Sequence, residues 1–197
     1  MDTWLWLGIA VAIVAAFAVL RARPQGRASI SVTAPRVGFV NFGNDSFSSL
    51  VDEDRTALSA SFSQTVASAN GEIPTCDVLF VYARLSPDGS LVGAPEPTIR
   101  HVSARARAAI VVLASPNSGE SIVAAGKLPG PKNASLVFTI DRKDGFANFF
   151  KQLFSLMAVG KPMPLAWVTL APQHASAMPP GIPETIFVPE AGAVTFQ

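Results

Sequence analysis

The chain has 197 residues, 49% of them hydrophobic and 15% charged, well under the roughly 25% charged of ordinary soluble domains. With 15 Lys+Arg against 14 Asp+Glu the formal net charge is +1, so neither a basic field for nucleic acid nor an acidic tail is present, and a nucleic-acid role is disfavoured. A single cysteine, Cys76, excludes an internal disulfide and a multi-cysteine zinc site, and two histidines, His101 and His174, argue against a histidine-rich metal centre; no metal or cofactor is expected.

A mean hydropathy of +0.36 would suit a many-span membrane protein, but 16 prolines, 14 glycines and recurrent Asp/Arg clusters leave one apolar stretch long enough to cross. Thr3 to Leu20 (TWLWLGIAVAIVAAFAVL) is 18 residues without a charge, reaching roughly 27 Å as a helix against a hydrocarbon core of ~30 Å. Positive charge follows it at Arg21, Arg23 and Arg27, so the positive-inside rule predicts an uncleaved signal-anchor, N-terminus out, with the rest of the chain cytoplasmic. Trp4 and Trp6 suit the far interface. A cleaved signal peptide is the rival, on Ala16-Phe17-Ala18, but such a peptide opens with positive charge and Met1-Asp2 does not. A lone unpaired cysteine agrees with the cytoplasm. The expected organisation is an anchor over 1–23, a linker over 24–34, one α/β domain over 35–172 and a Pro-rich tail over 173–197.

Within the domain, short β-branched and aromatic runs alternate with longer amphipathic stretches, which predicts an α/β fold with a mostly parallel sheet. Val37 to Phe42 is the first strand, closed by Gly43-Asn44-Asp45. A helix from about Ser48 to Ser68 is expected next, with Val51, Leu58, Phe62 and Thr65/Val66 on one face and Asn70-Gly71 as its stop. Asp77 to Leu85 (DVLFVYARL) is the near-continuous apolar run of a strand buried on both faces. Ser86-Pro87-Asp88-Gly89-Ser90 is a turn, so Leu91-Val92 folds back as a short arm. His101 to Ala109, flanked by Arg100 and carrying Arg105 and Arg107, reads as a short, solvated helix or loop.

Ala109 to Ala114 is a third buried strand, and Ser115-Pro116-Asn117-Ser118-Gly119-Glu120 turns into a helix around Ser121 to Ala125 with a Ser or Asn cap. Ala134 to Ile140 is the fourth strand. In FANFFKQLFSLM, Phe146, Phe149, Phe150, Leu153, Phe154 and Met157 recur at helical spacing, so this helix packs one face on the sheet. Gly160 stops it, and Leu165 to Leu170 is a last short helix. In the tail, Ile186-Phe187-Val188 and Ala193-Val194-Thr195-Phe196 flank Glu190-Ala191-Gly192 as a terminal hairpin.

Ligand and catalytic groups of such a sheet gather at the C-terminal strand ends. The candidates there are Asn41, Asn44 and Asp45; then Tyr82, Arg84 and Asp88; then Ser115, Asn117, Ser118 and Glu120; then Asp141, Arg142 and Asp144. Cys76 precedes its strand, at the wrong end for a nucleophile, and reads as a buried structural thiol. His101 has no evident orienting partner. No G-x-S-x-G elbow, Walker loop or G-x-G-x-x-G occurs, so hydrolase, NTPase and dinucleotide readings lose their usual support. Asn44-x-Ser46-x-Ser48 approaches the D-x-S-x-S metal-adhesion loop of von Willebrand A-type domains with its leading carboxylate lost, and capping of the following helix by Asp45 or Ser46 is the simpler expectation. The acids at Asp141 and Asp144 read as a helix N-terminus enriched in carboxylates.

Three blocks then line up: Cys76-Asp77-Val78-Leu79-Phe80-Val81-Tyr82-Ala83-Arg84 with Asp88-Gly89-Ser90-Leu91; Ile110 to Gly119; and Ala134 to Ile140 with Asp141, Phe149-Phe150, Leu153 and Gly160-Lys161. In order, they resemble the caspase-like CHAT domains of bacterial peptidases, over roughly residues 76 to 170. The resemblance implies a mostly parallel, caspase-like three-layer sandwich; with the N-terminal transmembrane helix expected from Thr3 to Leu20, it would stand at a bacterial inner membrane. It also implies that the catalytic histidine would fall at Arg84 and the cysteine nucleophile at Pro116, and neither residue can supply base or thiolate chemistry. The expectation is a pseudoenzyme, binding an unidentified protein partner or a second copy of itself. The alternatives are a hydrolase-type enzyme using strand-end Asp and Arg residues, and a metal-dependent von Willebrand A-like binding domain.

Overall fold

The computed structural model describes residues 29–67, 71–171 and 181–197. The anchor expected over Thr3 to Leu20 and His174 of the tail lie outside the described residues. Among the described residues no helix is long and apolar enough to cross a membrane.

Eight strands are described: β1 (Ser29–Val32), β2 (Arg36–Asn41), β3 (Gln64–Ala67), β4 (Val78–Tyr82), β5 (Ile110–Leu113), β6 (Ser135–Asp141), β7 (Glu184–Val188) and β8 (Ala193–Phe196). The helices are α1 (Ser48–Leu58), α2 (Ile99–Ala106), α3 (Gly119–Lys127), α4 (Phe146–Ala158) and α5 (Met163–Leu170). Six strands form the main sheet in the order β3-β2-β4-β5-β6-β7, parallel except for β7, which runs antiparallel to β6. β1 and β8 pair in parallel as a separate two-stranded sheet.

The continuous apolar runs of β4 and β5 divide by strand alternation, which sends successive side chains to opposite faces. Val78, Phe80 and Tyr82 join Ile110, Val112 and Val137 on one face, where α1, α4, α5 and the β1–β8 pair cover them. Leu79, Val81 and Ala83 join Val111, Leu113, Leu136 and Phe138 on the other, under α2 and α3. The result is the mostly parallel α/β fold that the alternating pattern predicts, arranged in three layers. At the centre of the first layer Phe80 stacks on Phe39 at 5.3 Å and meets Phe150 of α4 edge-on at 5.5 Å. All six apolar residues of α4 singled out from the sequence are buried.

Four expectations need correction. The helix expected to reach Ser68 stops at Leu58; a 3-10 turn over Ser59–Ser61 follows, and the chain becomes strand β3. Helical periodicity ran on through Phe62, Thr65 and Val66, but the open edge of β2 offers backbone donors and acceptors that a strand satisfies and a helix does not. Phe62 still reaches the core, 5.0 Å from Phe154. Second, the two tail strands are no hairpin. β7 closes the β6 edge of the main sheet, with Phe187 stacked on Trp167 at 4.9 Å, while β8 crosses to pair with β1, with Phe196 stacked on Phe154. Third, Ser29–Val32, within the stretch read as linker, is strand β1, because β8 supplies its partner. Fourth, α2 is not solvated: Ile99, Arg100, Val102, Ser103 and Ala106 are buried.

The Arg100 guanidinium shows why a charged residue can lie there. It pairs with Glu190 at 2.6 Å and donates to the carbonyls of Ala125, Gly126 and Leu128, capping the C-terminus of α3, where a cation opposes the helix dipole.

Phe150 is fully buried at the junction of sheet, α4 and α5. Phe150→Ala is expected to cost about 3–5 kcal/mol, read as a lowered urea midpoint with an unchanged slope; a loss within the error of the midpoint would show that the layer repacks freely.

Candidate functional site

Because β2, β4, β5 and β6 are parallel, their C-terminal ends Asn41, Tyr82, Leu113 and Asp141 share one edge of the sheet, and the candidate residues gather around it. The strand register pairs Val81 with Leu113, and side chains extend that pairing beyond the backbone ladder. The Ser115 hydroxyl accepts from the Ala83 N–H at 3.0 Å and donates to the Ala83 carbonyl at 2.5 Å. Asn117 accepts from the Leu85 N–H at 2.6 Å, donates through Nδ2 to the carbonyls of Ala83 and Ser115, and through its own N–H to Thr139 on the far side. Both residues therefore replace ladder hydrogen bonds where β4 and β5 diverge, and Ser115 is fully buried. Arg84 and Pro116, each three residues past the Val81–Leu113 pair, emerge exposed on the same rim.

Beneath that rim lies a buried ionic cluster. Asp54, wholly inaccessible on α1, takes a bidentate grip from Arg142, whose two terminal nitrogens reach Oδ1 and Oδ2 at 2.8 and 3.0 Å. The Tyr82 hydroxyl donates to Asp54 Oδ2 at 2.7 Å, and Arg142 also donates to the Ala114 carbonyl at 2.9 Å. The guanidinium lies 3.9 Å over the Phe146 ring, a cation–π contact. Burial and the Asp54 carboxylate push the Tyr82 phenol well above its ordinary value of 10.0. Both carboxylate oxygens are occupied and the phenol proton is already given, so the cluster joins α1 to the ends of β4, β5 and β6 and offers nothing to a substrate.

Asp54 was not among the sequence candidates, although a signal existed. It stands three residues after Val51 and four before Leu58, on the helix's own apolar stripe, where a carboxylate needs a buried partner.

The remaining candidates are dispersed. Asp45 is exposed in the 3-10 turn Asn44–Phe47. Neither it nor Ser46 caps α1, contrary to expectation, because that turn intervenes and α1 begins without a side-chain cap; Asn41 Oδ1 instead accepts from the Gly43 N–H at 2.9 Å. Asp88 sits exposed at the hairpin tip, where hydrogen bonds from Ser86 and Ser90 hold its carboxyl down to about 2. Gly89 there has φ +87° and packs against the Ala125 backbone, leaving no room for a Cβ. Ser118 caps α3, accepting from the Ser121 N–H at 3.2 Å, and Glu120 is exposed in its first turn. Asp141 pairs with Lys143 at 2.5 Å, which lowers the acid and raises the amine. Asp144 is exposed. Among the described residues no three His, Cys, Asp or Glu side chains come together as a metal site. Cys76 lies before β4, at the opposite edge, 1% exposed, and burial pushes its thiol up to about 12.

No protein-family model matches the chain, and no curated protein does.

Asp54→Ala is expected to cost about 3–5 kcal/mol, since it strands the Arg142 charge in the interior, whereas the double change Asp54→Leu with Arg142→Met recovers much of that loss; a double loss in chemical denaturation equal to the sum of the two single losses would show the residues uncoupled. Alkali gives a second measure. Tyr82 and Cys76 both hold their protons longer folded than unfolded, so their contribution is complete below 10.0 and 9.0 respectively and is lost as pH rises, for Cys76 through about 12. The urea midpoint is expected to fall from pH 9 upward, and Cys76→Ala to remove the earliest part of that fall; a flat profile would contradict both assignments.

Proposed function

We propose that the chain is a single-pass membrane protein whose cytoplasmic domain is a catalytically silent, caspase-like CHAT-type module that binds a protein partner or regulates one. The observation that carries the reading is the shared rim of Arg84 and Pro116. The two positions where the resemblance requires the histidine and the cysteine follow neighbouring parallel strands at equal distance from the Val81–Leu113 pair, on the same sheet edge, as a dyad demands. The three-layer arrangement with one antiparallel edge strand is compatible with the same family.

Silence follows from chemistry. The Arg84 guanidinium offers only donors and has no acceptor lone pair to act as a base, and Pro116 has no nucleophilic atom. Their neighbours are committed to structure: Ser115 and Asn117 bridge the strands, and Asp54 and Arg142 neutralise each other. A rigid edge of this kind suits binding, because its exposed side chains are held by the sheet. Arg84, Pro116, Ser118 and the half-exposed Val92, whose N–H donates to the Arg84 carbonyl, form that rim. The anchor reading rests on the uncharged Thr3 to Leu20 segment and the arginines after it.

The full-length chain is expected in the carbonate-resistant membrane fraction, with added protease digesting its domain only after the inner membrane is opened. Release by carbonate would overturn the anchor, digestion in intact spheroplasts the orientation, and peptide hydrolysis sensitive to thiol blocking the silence.

A further inference from the structure

We infer that the outer face of α5, with the groove between α4 and α5, rests on an anionic lipid surface. The inference depends on the anchor reading above and goes beyond it, because an anchor alone leaves the domain free to face the bilayer with any side.

Three observations converge. First, α5 (MPLAWVTL) carries no charge, yet only Met163, Ala166 and Trp167 are buried. Leu165 and Val168 stand 53% and 56% exposed, and Val159 at the end of α4 stands 80% exposed. Apart from Thr169, the side chains on both sides of this helix are apolar, and an exposed apolar face of this kind belongs out of water. Second, the groove beside it, lined by Lys151, Ser155, Leu156, Val159 and Leu170 among others, belongs to a long stretch without acid. From Gly145 to Pro183 the sequence has no Asp or Glu, while Lys151 and Lys161 lie on this side, Lys161 with its Nζ 3.4 Å from the Thr169 hydroxyl of α5. Exposed apolar side chains beside an acid-free groove that carries Lys151, with Lys161 nearby, match a bilayer interface of negative charge.

Third, the face lies in the layer through which the chain comes from its N-terminal segment. The β1–β8 pair packs into the same core as α4 and α5, and β1 begins at Ser29. Eight residues, 21–28, separate it from Leu20 and extend at most about 29 Å. Arg21, Arg23 and Arg27 occupy that link. A domain held this close meets the surface at high effective concentration, so contacts too weak for free binding suffice.

The test uses the full-length chain in phosphatidylcholine vesicles with and without phosphatidylserine. An environment-sensitive fluorophore is placed at Val168→Cys in a Cys76→Ala background, and in a second protein at Val123→Cys on α3, across the sheet and 54% exposed. The expected result is blue-shifted emission, quenched by doxyl lipids, at position 168 in phosphatidylserine vesicles and not at position 123. Lys151→Gln and Lys161→Gln are each expected to lower the lipid-contacting population roughly fivefold. A chain that floats with the vesicles while both labels report water overturns this inference alone; one that does not float overturns the anchor, and the inference falls with it. Shielding that persists in detergent assigns the face to another part of the chain, and shielding that grows with protein concentration assigns it to a second copy; either outcome overturns the lipid assignment.

Discussion

The domain depends on a charge that has nowhere else to go. Asp54 is sealed inside the first layer, and only the bidentate Arg142, the Tyr82 hydroxyl and the stacked Phe146 ring make that burial tolerable. A buried pair of this kind adds little net stability over apolar residues of the same shape, but once built it is costly to break. It ties α1 to the end of β4 through Tyr82 and to the residue after β6 through Arg142, and, through the Ala114 carbonyl, joins β5 to the same cluster.

A second ionic clamp works on the opposite layer. Arg100 and Glu190 are nearly as inaccessible, and together they tie α2 to the end of α3 and to the turn between β7 and β8. The scarcity of charge that marks the composition thus understates what its charges do. Several of the few ionic side chains lie inside, each satisfied by a carboxylate or by carbonyls that would otherwise lack partners.

The same economy governs the sheet edge where an α/β enzyme would keep its reactive groups. Ser115 and Asn117, which read as binding groups from their residue types, are consumed as substitute ladder bonds between diverging strands. Asp88 is consumed within its own turn and Asp141 by Lys143. At that edge Arg84, Pro116, Ser118, Glu120 and Asp144 stay exposed, and α5 keeps an uncharged, half-exposed face.

The sequence by itself determined the elements whose pattern is unmixed. β4 and β5 are legible because an apolar run with β-branched residues is too short for a helix and suits only a strand covered on both faces, and α4 because six apolar residues repeat at helical spacing over a single stripe. The turn at Asp88-Gly89 was legible from its residues, since only glycine accepts the backbone angle there. The tertiary structure decided everything that turns on a vacant partner. Gln64–Ala67 is strand because β2 had an open edge, and Glu184–Val188 and Ala193–Phe196 part company because β6 and β1 each had one. Asp54, Arg100 and Arg142 are interior because their counter-charges come from elements 88 to 90 residues away in sequence. Local periodicity reports which side of an element is apolar; it carries no information about which distant backbone edge or opposite charge will be waiting there.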